Sequence, residues 1–234
     1  FEVLRVHGPN YPFVYKYLDS SNGKLTKKKN WKVALVKSPF WRHAEQYARG
    51  SLLEFAAKLG SCRNISVKEV ELPMDFHKAH AIHALIYEKA LAYYFSEEYA
   101  YHKAKLSRIF KEMVTRGRKI TLQQYLKSLE EQINLTQQLD RFFDKYDIII
   151  SLAAATEAPE GLEPIDRPDT CLIWTLCHAP VINLPIFRGP KGLPFGAQVV
   201  SRRYQDYKLL GFVRHLKKEG LLKDWRKVPS CAIY

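Results

Sequence analysis

An α/β fold is what this chain predicts, and three features of the sequence predict it. Residues 33–72 read as strand, helix and strand within about forty positions, the pattern of a βαβ unit whose two strands must run parallel. Asp147–Leu152, DIIISL, is a continuous apolar run, as expected of a strand covered on both faces. Two further apolar runs flank Gly189-Pro190-Lys191-Gly192, the chemistry of a hairpin turn, and a helical pattern follows them.

Taken in order, residues 1–23 are aromatic-rich but broken by Gly8-Pro9 and Ser20–Gly23, which reads as a helix end and a connecting loop. Basic, turn-rich Lys24–Lys32 then leads into the strand Val33–Val36, stopped by Ser38-Pro39. From Ala44 to Leu59 the residues Ala48, Leu52, Phe55, Ala56 and Leu59 recur on one helical face, and Gly60 sits where a C-terminal cap belongs. Ile65–Leu72 alternates apolar and polar positions as a half-buried strand does. Residues 75–143 read as helical with a break near Gly117. Thr121 followed by Gln124 is a capping box, and Leu122, Tyr125, Leu126, Leu129 and Ile133 line one side of the helix it opens. Ala153–Thr170, with five acids and three prolines, must be a loop. Val181–Leu184 and Phe195–Val200 read as strands, and Gln205–Glu219 as a closing helix stopped by Gly220.

A hydrophobic content of 47% and a charged content of 26% are ordinary for a globular chain of 234 residues. The expectation is one domain over 1–234, with 1–32 as a connecting segment and basic loop. No apolar run is long enough to span a bilayer, so a cytoplasmic, membrane-free protein is expected. The chain starts at Phe1 with no signal-peptide pattern, which reads as a piece of something longer. Cys62, Cys171, Cys177 and Cys231 match neither a CxxC turn nor a zinc knuckle and read as reduced thiols. The net charge of +13 is uneven: residues 103–119 hold seven Lys/Arg against Glu112 alone, whereas 157–169 are acidic. A solvated basic surface explains it most simply. Nucleic acid is disfavoured as a partner because no recognition helix, zinc finger or RRM motif accompanies the charge.

The chemistry-bearing motifs are mostly absent. There is no G-x-S-x-G elbow, no GxGxxG and no P-loop. Ser20-Ser21 lacks the flanking glycines that let backbone amides converge on an oxyanion. His77, His80 and His83 recur at three-residue spacing without a companion carboxylate, so no metal is expected. No cofactor is expected either.

Four segments in order carry a resemblance. KVALVKSPFWRHAEQYARGSLLEFAAKLG, RGRKITLQQYLKSLEEQ, DIIISLAAATEAP and WTLCHAPVINLPIFRGPKGLPFGAQVVSRRYQD are similar to the C-terminal portion of amidase-signature hydrolases. The last segment is the most specific of them. Departures are His178 where the family has Gly, Ile186 and Phe187 after Leu184-Pro185, and Ser201 where Gly is usual. These changes bear on pocket shape and substrate more than on fold. The resemblance implies an α/β fold with a mixed twisted sheet and helices on both faces, of which this chain supplies the C-terminal half. It also implies hydrolysis of amide carbon–nitrogen bonds by a Ser–cis-Ser–Lys triad through an acyl-enzyme. The triad would lie upstream, in the missing N-terminal half of the fold, leaving no catalytic residue here and an inactive segment. The substrate would be a small-molecule amide, with Thr156, Asp169 and Trp174 as candidate substrate-binding residues. Two other readings stay open: a non-catalytic remnant or interaction module on the same scaffold, and a basic protein that binds acidic partners. Self-association into a homo-oligomer is left open as well.

Overall fold

A computed structural model describes residues 25–159, 161 and 170–222. The chain divides into two compact units, one of residues 1–71, 143–170 and 179–234, the other of 72–142 and 171–178.

The first unit is built on a five-stranded sheet. Its strands are β1 (Trp31–Leu35), β2 (Ile65–Glu69), β3 (Ile148–Leu152), β4 (Val181–Arg188) and β5 (Pro194–Val200), in the order β2-β1-β3-β5-β4. β2 and β3 both run parallel to β1, with Val33 opposite Val67 on one side and Ile148 on the other. The βαβ unit expected from residues 33–72 is therefore present, its crossover being α1 (Gln46–Gly60). β5 is antiparallel to β3 and β4, so the sheet is mixed, as the resemblance implied. β4 outruns its expected end at Leu184, but the register slips between Leu184 and Phe187. Pro185 lies in that interval, and a residue without an N–H cannot hold a regular ladder.

Side chains of one sheet face, among them Trp31, Val33, Leu35, Ile148, Ile150, Ala197 and Val199, pack with Leu52, Phe55 and Leu59 of α1. They share that cluster with Leu209, Phe212 and Leu216 of α7 (Asp206–Lys218). Each fully buried Leu or Phe of this kind contributes about 1.5–3 kcal/mol. Residues of the opposite face, Ala34, Ile149, Ser151, Gln198 and Val200, are also inaccessible to solvent. DIIISL is thus buried on both sides, as its unbroken hydrophobicity demands.

The expected stop at Gly220 is a Schellman motif. Gly220 has φ +71°, its N–H donates to Lys217 O, and the N–H of Leu221 donates to Leu216 O. Gly60 differs: it is the last helical residue of α1, and Ser61 caps the end in a right-handed conformation.

The second unit is helical: α2 (Ala79–Tyr94), α3 (Ser96–Tyr101), α4 (Arg108–Lys119), α5 (Leu122–Phe142) and α6 (Leu172–Leu176). The expected break at Gly117 is displaced to Ile120-Thr121. Gly117 instead sits inside α4 where it meets α2, and a Cβ there would lie 1.9 Å from Glu88 O. Glycine serves close approach here, not termination. The capping box holds: Thr121 N–H donates to Gln124 Oε1, and Gln124 N–H to Thr121 Oγ1. The face it introduces does not. Leu122, Leu126 and Ile133 are exposed, and the buried stripe of α5 is Ser128, Leu135, Thr136 and Leu139. Ser128 and Thr136 can be buried because their hydroxyls donate to Gln124 O and Gln132 O of their own helix.

Candidate active site

In open α/β sheets the ligand crevice lies at the carboxyl ends of the strands. Here the chain leaving β1 and the chain leaving β3 meet: Glu45 N–H donates to Ala155 O at 2.9 Å. Tyr47, on the first turn of α1, reaches over to the second segment. Its hydroxyl lies 2.5 Å from Thr156 Oγ1 and accepts the Glu157 N–H at 3.0 Å. The ring packs edge-on against Phe195 at 5.5 Å. Thr156, expected as a substrate-binding residue, is therefore fixed by a tyrosine that its sequence position does not announce.

Glu157, the first acid of the loop, is buried, with 6% of its surface exposed. Its Oε1 accepts from Lys191 N–H and its Oε2 from Leu193 N–H, each at 3.0 Å. The carboxylate therefore grips the β4–β5 turn through two charge-assisted bonds to backbone amides. Gly189 makes room for it, since a Cβ at that position would fall 2.3–2.7 Å from the carboxyl atoms. Arg188 Nη1 donates to Gly192 O across the same turn. No pattern of spacing reveals this contact, because it joins residues more than thirty positions apart.

Gln198, in the GLPFGAQ segment, is fully buried. Its Nε2 donates to Ser151 Oγ, Leu152 O and Thr170 O at 2.8–3.0 Å, tying β5 to the end of β3 and to the return of the acidic loop. Its Oε1 has no partner.

Phe187, one of the residues that depart from the family pattern, packs edge-on against Phe55 at 6.0 Å and lies 5.2 Å from Phe195. With Ile186, Arg188, Glu54 and Lys58 it borders a cleft of about 290 Å³. His178, standing where the family has glycine, has φ +54°, a left-handed conformation that costs a residue with a Cβ about 1–2 kcal/mol.

Trp174 is wholly buried in α6 of the helical unit, and its Nε1 finds no acceptor among the described residues. Asp169 and Ser20-Ser21 lie outside the described residues. His77 is exposed on the turn before α2, and His83 stacks on Tyr87 at 5.4 Å. No group of three His, Cys, Asp or Glu side chains suited to a metal occurs among the described residues. Among the described residues Cys62, Cys171 and Cys177 form no disulfide with one another, and Cys231 lies outside the described residues. Among the described residues no helix is long and apolar enough to cross a membrane.

Residues 9–210 match the family model described as Amidase. A glutamyl-tRNA(Gln) amidotransferase subunit of Natranaerobius thermophilus is 30% identical over 112 residues, covering 45% of this chain and 22% of that protein. The corresponding protein of Helicobacter pylori strain G27 is 27% identical over 105 residues, 42% of this chain and 23% of that one. Among solved structures, an amidase superposes with TM-score 0.73 at 19% identity over 83% of this chain and 47% of its own. A 6-aminohexanoate cyclic dimer hydrolase superposes with TM-score 0.68 at 16% identity over 98% and 51%. The fold is thus shared, and the chain spans about half the length of those structures.

Proposed function

This chain belongs to the amidase family, and on that premise we propose that it is part of an enzyme hydrolysing amide carbon–nitrogen bonds by serine acyl transfer. The observation that carries the reading is the family match over 9–210, within a chain that spans about half of each matched structure. The nucleophilic serine, the bridging serine and the lysine base belong to the part of the family fold that these residues do not supply. In the reaction the serine oxygen attacks the amide carbonyl and the lysine takes its proton. The carbon–nitrogen bond breaks as the amine leaves with a proton, and water then releases the acid.

The contribution of these residues is positional. Thr156, held by Tyr47, and the turn gripped by Glu157 form a rigid wall at the carboxyl ends of β1 and β3. A wall fixed by partly buried hydrogen bonds holds a substrate at the reacting distance better than a free loop does. Thr156, Asp169 and Trp174 are proposed to contact a small amide substrate. The curated relatives are named as subunits, so a complementary chain is part of the proposal. The setting would be cytoplasmic.

The purified chain alone is expected neither to hydrolyse simple amides nor to be labelled by a fluorophosphonate. Co-expression with an N-terminal family region carrying the serines and lysine should restore both. Robust labelling at a serine of this chain overturns the proposal, as does failure of the two parts to associate.

A further inference from the structure

At the opposite end of the parallel strands, where β1 begins, the segment before it and α7 enclose a second cleft of about 360 Å³. That volume falls within the range of small-ligand sites. Lys27, Lys28, Trp31, Arg214, His215 and Lys218 border it, and among the described residues no acidic side chain does. Arg214, His215 and Lys218 stand three, four and seven positions after Gly211, so one face of α7 presents all three. The close seat of α7 on the entering segment is fixed by Gly211, where a Cβ would lie 2.5 Å from Thr26 O.

Among the described residues only part of this charge is neutralised. Lys28 is engaged by Asp147 at 2.5 Å. Lys27, Arg214 and Lys218 have no carboxylate partner among the described residues. Basic residues in the last turn of a helix ordinarily offset its macrodipole, but that dipole amounts to only about half a negative charge. Three unpaired cations exceed it several-fold.

Two further nitrogens belong to residues that line the cleft. The Trp31 indole Nε1 and His215 Nε2 are both buried without a hydrogen-bond partner among the described residues. Glu219 Oε1, the nearest carboxylate oxygen to His215, stands 3.8 Å off, outside hydrogen-bond reach. Two buried nitrogens without an acceptor beside three cations are groups whose hydrogen-bonding and charge an anion's oxygens would satisfy.

We propose that this cleft binds a small phosphate-bearing anion, with the Arg214 guanidinium and the Lys27 and Lys218 ammonium groups on its oxygens. The Arg214 fork matches phosphate geometry in two-pronged contacts. The site is separate from the amide-hydrolysis proposal and does not depend on it.

The test is a titration of the whole chain with sodium pyrophosphate at low salt, followed by the assigned indole N–H resonance of Trp31 and by calorimetry. A saturable shift of that resonance is expected, with a dissociation constant on the order of 0.1–1 mM. The double variant Arg214→Ser/Lys218→Ser changes two exposed side chains, so far-UV dichroism should stay native while affinity falls more than about tenfold. Lys119→Ser, in the helical unit, should leave affinity unchanged. Any of four results overturns the proposal: no shift, an equal shift from sodium chloride at matched ionic strength, undiminished affinity in the double variant, or tighter binding of an oligouridylate of about twenty nucleotides. The last would identify a nucleic-acid track in place of a small-molecule site.

Discussion

Replacing Glu157 tests the clamp on the β4–β5 turn. The carboxylate is buried and spends one oxygen on the Lys191 amide and the other on the Leu193 amide. A hydrogen bond to a charged group contributes about 1.5–3 kcal/mol net. Both residues of the turn are exposed, so the freed amides can rehydrate, and the low end of that range applies to each. Glu157→Ala should therefore cost about 2–3 kcal/mol in local stability. In native-state hydrogen exchange that is roughly a 30- to 150-fold faster rate at both amides. Glu157→Gln is the sharper variant. Its amide keeps one acceptor oxygen and turns an NH2 toward the other backbone donor, so one of the two amides should stay protected while the other is released. Unchanged exchange at both positions in Glu157→Ala would refute the reasoning. The turn would then be held by its own bonds, Gly192 N–H to Gly189 O and Gly189 N–H to Leu193 O.

Three further outcomes follow from the same geometry. Gly117→Ala should destabilise by about 1–3 kcal/mol in denaturant titration, because the 1.9 Å approach to Glu88 O forces α2 and α4 apart by more than the gain in helix propensity returns. Gly50→Ala in α1, with nothing within 4 Å of the new Cβ, should instead stabilise by about 0.5–1 kcal/mol. Burial depresses the Lys208 pKa, and Asp147 at 3.7 Å only partly opposes this. Between that lowered value and the ordinary lysine value the unfolded chain binds more protons, so this group's contribution makes stability rise as pH climbs through the alkaline range. Lys208→Met should raise stability at neutral pH and flatten that rise. A variant less stable than wild type at pH 7, or one with the same alkaline slope, would contradict the assignment.

The resemblance to amidase-signature hydrolases was legible because it rests on short local segments, and the match over 9–210 bears it out. The capping box at Thr121 and the stop at Gly220 were legible for the same reason: each is complete within six residues. The face of α5 was not. Periodicity shows that Leu122, Leu126 and Ile133 share a stripe, but not whether anything packs on it. Ser128 and Thr136 look polar to any sequence pattern although their hydroxyls are already satisfied. Gly117 reads as a helix breaker because sequence cannot tell a flexible position from a tight one.

The chain by itself determined the alternation of strand and helix, the buried character of DIIISL and the hairpin, since hydrophobic period and turn chemistry are properties of neighbouring residues. Tertiary structure alone decided that the acid at 157 is a buried grip, that Tyr47 fixes Thr156, and that five basic residues close around a cleft at the foot of β1. Such roles depend on which distant groups share a small volume. Chain closure sets that, and no local pattern records it.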